Sequence, residues 1–149
     1  MIYLEHCLRQ ARVPPPRVVR ILKTSDEAWV FPDLRAEMLD LFPQADVREA
    51  RLDDGSASEA DLVVVPLVEG GDFPGQDVAY GALPLLRAVA GSLGRSRGHV
   101  LVWRARWRQA DVVPAAGLRA YAARLAWERR LSRRLADPSL LRALLEPRR

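Results

Sequence analysis

An unbroken apolar run, Leu62-Val-Val-Val-Pro-Leu-Val68, restricts the possible folds of this chain more than any other stretch. A strand with one face in water alternates apolar and polar side chains, whereas a strand covered on both faces reads as a continuous apolar run. The run is far shorter than the roughly 18–20 residues needed to span a bilayer. We therefore predict a buried central strand from Asp61 to Val68, followed by a polar loop that begins at Glu69.

Further strands and helices are predicted from apolar periodicity and from the positions of proline and glycine. The strands cover residues 17–23, 46–52 and 99–106, and the helices cover residues 32–42, 84–93, 115–135 and 138–145. Residues 110–114 are predicted to form a loop or a short extended piece. This alternation of strands and helices is typical of a small three-layer α/β/α domain with Rossmann-like layering. We expect a mostly parallel sheet of about four strands in the order second, first, third, fourth.

Residues 1–16 are predicted to form an N-terminal arm on the single α/β domain of residues 17–149. The apolar spacing in residues 2–12 favours a short helix, which must end before Pro14 because prolines lack an N–H donor and disfavour helix in the preceding residue. We expect this arm to be ordered only if it docks. The domain includes the basic C-terminal helices of residues 115–145.

Several functional classes are disfavoured by what the sequence lacks. The single cysteine, Cys7, excludes an internal disulfide, and the N-terminus does not read as a signal peptide, so we expect a soluble cytoplasmic protein. His6 and His99 are the only histidines, too few to form a zinc cluster with one cysteine. No G-x-G-x-x-G or P-loop motif occurs. Gly94-Arg-Ser-Arg-Gly98 has the G-x-S-x-G spacing, but it is predicted to be a turn that leads into a strand, whereas the nucleophile elbow of a serine hydrolase leads from a strand into a helix. These features favour a non-catalytic protein without excluding an enzyme, and we assign no catalytic residue, metal ligand or cofactor.

Positive charge is concentrated at the C-terminal end. Residues 109–149 hold nine arginines and four acidic residues, whereas the remainder holds 14 basic and 15 acidic residues. Lys23 is the only lysine, and this preference for arginine is typical of GC-rich bacterial genomes. This concentration of positive charge is relevant to the kind of partner that the chain binds, but it carries no information about the fold.

The helix predicted over residues 115–135 has two distinct faces. Its apolar residues fall on one broad sector: Leu118, Tyr121, Leu125, Leu131 and Leu135. A second sector carries arginine with a tryptophan at its edge: Arg119, Arg130, Arg133, Arg134 and Trp127. This second sector is compatible with a protein contact, either with a partner or with another copy of the chain. It is also compatible with nucleic acid, through phosphate contacts and base stacking, or with a solvated helix face. No membrane contact is expected.

A second candidate site follows from the predicted sheet order. The carboxyl ends of the first, third and fourth strands should share one edge of the sheet, where ligands of open α/β sheets bind. The residues that this edge gathers are Thr24, Ser25, Asp26, Glu69, Gly70, Gly71, Asp72, Arg104 and Arg106. Backbone N–H groups and arginine favour an anion such as phosphate, whereas the carboxylates oppose one unless a cation such as Mg²⁺ bridges them. The alternative is a solvated acidic loop beside a capped helix.

One segment resembles a known family. Ile21-Leu-Lys-Thr-Ser25, Phe31-Pro-Asp-Leu34 and Leu41-Phe-Pro-Gln-Ala-Asp-Val47 are similar to the opening of heptosyltransferase-like GT-B glycosyltransferases. In that family a first strand, a proline-led helix and a Phe-Pro-x-Ala turn lead to the second strand. The resemblance covers about 30 residues and implies a nucleotide or sugar-nucleotide ligand at the sheet edge. The chain departs from the family at Asp26-Glu27-Ala28, where the family has a Gly-Asp, and 149 residues supply only one of the two halves of such an enzyme.

These observations lead to three hypotheses. The first is a non-catalytic α/β binding domain that contacts a protein partner or itself through the arginine-rich C-terminal helix. The second is a phosphate-ligand or nucleotide-binding domain that uses the strand edge, and the third is a nucleic-acid-binding accessory protein.

Overall fold

Strand β3, Leu62–Leu67, lies at the centre of the sheet and all six of its residues are buried. The computed structural model describes residues 2–23, 30–53, 55–67, 82–93, 97–104 and 109–135. A row of branched aliphatic residues favours this central position, because β3 contacts a neighbouring strand on each edge and a helical layer on each face.

The described residues form a five-stranded sheet in the order β2-β1-β3-β4-β5. The other strands are β1 Val18–Leu22, β2 Asp46–Ala50, β4 His99–Arg104 and β5 Gln109–Pro114. The first four strands of the sheet are parallel, and β5 pairs antiparallel with β4. The predicted α/β class and the predicted order of the four parallel strands are therefore confirmed. The fifth strand corresponds to the short extended piece that was one of the two predictions for residues 110–114, and its antiparallel pairing with β4 was not predicted.

The helices cover both faces of the sheet. They are α1 Ile2–Gln10, α2 Val30–Leu41, α3 Ala82–Ser92 and α4 Leu118–Leu135, with short 3-10 turns at Ser56–Glu59 and Ala115–Gly117. In α2, Leu34 and Met38 are fully buried, as their spacing of four residues predicts. The additional helix predicted over residues 138–145 lies outside the described residues.

The core consists of two apolar layers, one on each face of the sheet. Successive side chains of a strand point to opposite faces, and the residues of β3 divide accordingly. Val63 and Val65 pack with α3 and α4, whereas Leu62 and Val64 pack with α1 and α2. This arrangement is the three-layer α/β/α architecture.

Helix α1 docks on the sheet beside β5, because Leu4 and Leu8 are buried in the same cluster as Leu34 and Met38. Its end is a Schellman motif, in which the Val13 N–H bonds to the Leu8 carbonyl and the Arg12 N–H bonds to the Arg9 carbonyl. Arg12 occupies the left-handed position of this motif, with φ of 53°. The motif turns the chain out of the helix and into the proline segment that leads to β1.

Candidate functional site

The first half of α4 is anchored to the sheet. Leu118, Tyr121 and Ala122 are buried in the core. The Tyr121 hydroxyl donates a hydrogen bond of 2.6 Å to the Asp111 carboxylate on β5. The Arg124 guanidinium lies 5.4 Å from the centre of the Tyr121 ring, within the range of a cation–π contact. The start of the helix is therefore fixed in position by packing and by a charged hydrogen bond.

The second half of α4 presents large apolar side chains to solvent. Trp127 is 61% exposed and Leu131 is 41% exposed. The sequence placed Leu131 on the same apolar sector as Leu118 and Tyr121. The structure buries that sector only at the start of the helix, with Leu125 half-buried and Leu131 beyond the core. Trp127 and Leu131 are one turn apart, so they form a continuous apolar strip.

Arginines flank this strip. Arg119, Arg130 and Arg134 are exposed. Arg130 and Arg134 follow Trp127 by three and seven residues, which places them beside it on the helix. The side chain of Arg133 lies outside the described residues. The sequence of α4 contains six arginines and a single acidic residue, Glu128. The surface formed by Trp127, Arg130, Leu131 and Arg134, here called the α4 surface, is therefore amphipathic and strongly positive.

The predicted edge at the carboxyl ends of the strands is only partly described. The parallel pairing of β1 with β3 and of β3 with β4 brings the ends of these strands to one edge, with Leu67 paired to Arg104. Arg104 is the last residue of β4, and its side chain is not described. The other predicted residues lie outside the described residues: Thr24, Ser25, Asp26, Glu69, Gly70, Gly71, Asp72 and Arg106.

A pocket of about 350 Å³ lies at the opposite edge, where β1, β3 and β4 begin. Its walls come from the proline segment after α1, from the residues before β3 and from the start of β4. The lining residues are Val13, Pro14, Pro15, Arg17, Ser58, Glu59, Ala60, Asp61, Arg97, Gly98 and His99. The sequence does not predict a site here, because these residues come from three separate segments and form no motif. The signal that could have located it is the presence of polar residues immediately before three adjacent parallel strands.

Asp61 links the starts of β1, β3 and β4 through hydrogen bonds. Its Oδ2 atom accepts hydrogen bonds from the backbone N–H groups of Arg17 and Val18 at 2.9 and 3.0 Å. Its own N–H bonds to the Val18 carbonyl, and its carbonyl accepts from the His99 N–H, each at 3.0 Å. Gly98 permits the close approach of β4, since a β-carbon there would lie 2.7 Å from the carbonyl oxygens of Ala60 and Asp61.

The edge strand β2 is joined to β1 by a charged cluster. The Arg20 guanidinium donates to the Asp46 carboxylate at 3.1 Å and to its carbonyl at 3.0 Å, and Arg48 donates to the same carboxylate at 2.8 Å. Desolvation raises the pKa of Asp46, but the hydrogen bonds and charges of Arg20 and Arg48 together lower it by more, so the net pKa lies below its ordinary value. This cluster acts in strand pairing.

Comparison with known proteins gives no relative for this chain: no protein-family model, curated protein or solved structure matches it. Across the described segments, no group of three or more metal-ligating side chains is placed to hold a metal ion. The helices within those segments are too short or too polar to cross a bilayer.

Proposed function

We propose that this chain is a binding domain that contacts an acidic surface of another protein through the α4 surface. The observation that carries the proposal is the exposure of Trp127 and Leu131 between arginines on a helix whose first half is anchored in the core. Tryptophan and arginine are the residue types that contribute most often to binding energy in protein interfaces. Burial of Trp127 against a partner would remove a large apolar side chain from water.

The arginines define the chemistry of the partner. Guanidinium groups form paired hydrogen bonds with carboxylates, so Asp and Glu side chains on the partner would complement Arg130 and Arg134. A symmetric dimer through this helix is disfavoured, because it would place six arginines against the same six arginines. Nucleic acid is a weaker fit, since among the described side chains of α4 only Trp127 offers an exposed ring for stacking, and Leu131 beside it suits a protein contact.

The test compares capture of proteins by the wild-type chain and by an Arg130→Glu, Arg134→Glu variant, followed by titration with the purified captured protein. We expect the charge reversal to weaken binding by at least about tenfold, because it replaces attraction by repulsion. Arg35→Glu is the control, since Arg35 is exposed on α2, which packs on the opposite face of the sheet from α4, and should leave binding unchanged. Blue-shifted Trp127 fluorescence on titration, absent in Trp127→Ala, would place the partner on this helix.

Other outcomes would overturn the proposal. Binding of a single-stranded oligonucleotide that weakens steeply with salt would assign the α4 surface to nucleic acid. Concentration-dependent self-association that the double variant abolishes would assign it to a second copy of the chain. Partner binding that survives in the double variant would remove α4 from the interface.

A second candidate function is the binding of a nucleotide or sugar nucleotide at the carboxyl ends of the strands. It is favoured by the order β2-β1-β3-β4, in which the connection after β1 runs to β2 on one side and the connection after β3 runs to β4 on the other side. This reversal between β1 and β3 creates the switch point where ligands of such sheets bind. Thermal unfolding with nucleotides and sugar nucleotides, with and without Mg²⁺, tests it. A ligand at about 100 times its dissociation constant adds roughly 2.7 kcal/mol to the free energy of unfolding, so an unchanged midpoint with every compound would reject this function.

A further inference from the structure

The pocket at the amino ends of the strands is a candidate site separate from both surfaces considered above. Its volume of about 350 Å³ falls at the small end of the range for ligand sites. Two of its lining residues, Arg17 and Arg97, are exposed, and His99 is half-buried at the start of β4. The pocket is open, and its lining combines charged side chains with proline, valine and alanine, so it suits a small molecule that carries polar groups.

The walls of the pocket are held in place before any ligand binds. The Asp61 carboxylate fixes the start of β1, and the Asp61 carbonyl fixes the start of β4 through the His99 N–H. Pro14 and Pro15, which restrict the backbone, form the third wall after the turn that ends α1. A fixed backbone reduces the ordering cost of binding.

The side chains around the pocket favour an anion. No ion pair between described side chains involves Arg17 or Arg97. Asp61 is negatively charged, but its Oδ2 atom already accepts from two backbone N–H groups. Glu59 is the remaining carboxylate of the lining, and it is a hydrogen-bond acceptor for hydroxyl or ammonium groups.

We propose that this pocket binds a small organic anion of about monosaccharide size, with its phosphate or carboxylate on Arg17 and Arg97 and its hydroxyl groups near Glu59. Arginine suits both anionic groups, because its planar guanidinium donates two parallel hydrogen bonds to either. The site lies at the sheet edge opposite the second candidate site, so the two are independent. It also shares no residue with the α4 surface.

The test uses ribose 5-phosphate, gluconate and uncharged ribose as probes with the full chain. We expect ribose 5-phosphate or gluconate to shift the NMR signals of the His99 ring and of the Arg17 and Arg97 guanidinium groups, and ribose to shift none of them. Binding of the phosphate alone or of the carboxylate alone would identify the anionic group. Arg17→Gln and Arg97→Gln should each weaken binding by at least about tenfold, because each loses a charged hydrogen-bond donor.

Arg87→Gln is the matched control, since it removes the same charge from an exposed position on α3 that does not line the pocket. Folding of the variants is checked by urea denaturation, and Arg17→Gln should fold because the bond to Asp61 comes from the backbone N–H of residue 17. The proposal is overturned if neither anion shifts the His99 signals at millimolar concentration. It is also overturned if Arg87→Gln weakens binding as much as the two pocket variants, because binding would then reflect net charge alone.

Discussion

The Asp61 carboxylate lies 2.9 Å from the backbone nitrogen of Arg17, a residue 44 positions earlier in the chain. Together with the bond to the Val18 N–H, this contact caps the start of β1 with a side chain from the start of β3. At the start of a strand, the first backbone N–H groups lack a bonding partner on the neighbouring strand. A carboxylate that accepts hydrogen bonds from two of them supplies the missing acceptors. Asp61 therefore fixes the relative position of the first and third strands.

Asp61→Ala is expected to lower the free energy of unfolding by about 1–2 kcal/mol, because two N–H groups lose a charged acceptor at a position that water can partly reach. Urea denaturation at neutral pH measures the change. Glu49→Ala serves as the control, since Glu49 is exposed on β2 and its loss should have little effect. Equal stability of Asp61→Ala and the wild type would mean that water replaces the carboxylate fully.

Gly98→Ala is expected to destabilise the domain by about 1–3 kcal/mol, because the new β-carbon would overlap two backbone carbonyl oxygens that cannot rotate away. Gly91→Ala is the natural comparison, since Gly91 lies in α3 with open space around it. That substitution should raise the free energy of unfolding by up to about 1 kcal/mol through helix propensity. Thermal midpoints of the two variants should therefore move in opposite directions, and a shared direction would contradict the close contact at Gly98.

Arg12→Gly is expected to stabilise the docked α1 helix by about 1 kcal/mol, because glycine adopts the left-handed conformation at position 12 without steric cost. Arg12→Ala removes the same charge but retains a β-carbon, so it should give no such gain. Hydrogen exchange of the α1 amides distinguishes the two variants. Equal protection in both would show that the left-handed conformation carries no strain in this turn.

Asp46 should make stability depend on pH in the acid range. In the folded protein, desolvation raises the pKa of Asp46, but Arg20 and Arg48 lower it by more, so the net pKa is lowered. The contribution of Asp46 to the free energy of unfolding is therefore complete above the pKa that this residue has in the unfolded chain, and it is lost as the pH falls through the pKa in the folded protein. Asp46→Asn should lower stability at neutral pH and make the acid limb of the stability curve shallower. Glu49→Gln is the control, and an acid limb as steep in Asp46→Asn as in this control would argue against the effect.

The fold was largely predictable because the sequence patterns that define its strands and helices lie within single short segments. The apolar run of residues 62–68 identified β3, and proline and glycine positions separated the other elements, so the strand order followed from general topology rules. Strand β5 was predicted only as a loop or a short extended piece, because Gln109-Ala-Asp-Val-Val-Pro114 mixes polar and apolar residues over six positions without a regular pattern. Its structure depends on pairing with β4, which a local reading does not include.

The candidate sites were less predictable. Helical periodicity located the exposed arginines of α4. The same periodicity grouped the exposed Leu131 with the buried Leu118 on one apolar sector, because periodicity cannot show where along its axis a helix leaves the core. The amino-edge pocket was missed for a different reason. Arg17, Asp61 and His99 are far apart in sequence and meet only because their strands are neighbours.

The central position of β3 also has a consequence for the folding pathway. Val19 of β1 pairs with Leu62, and Leu62 pairs with His99, so each contact of the central strand closes a loop of about 40 residues. Such closures cost chain entropy before any of the apolar surface is buried. During synthesis, β1 and β2 can emerge together, but the inner edge of β1 stays without a partner until β3 follows. Once β3 has been made, its own second edge has no partner until β4 follows. The apolar run that stabilises the native sheet is therefore open to wrong pairing while the chain is unfinished.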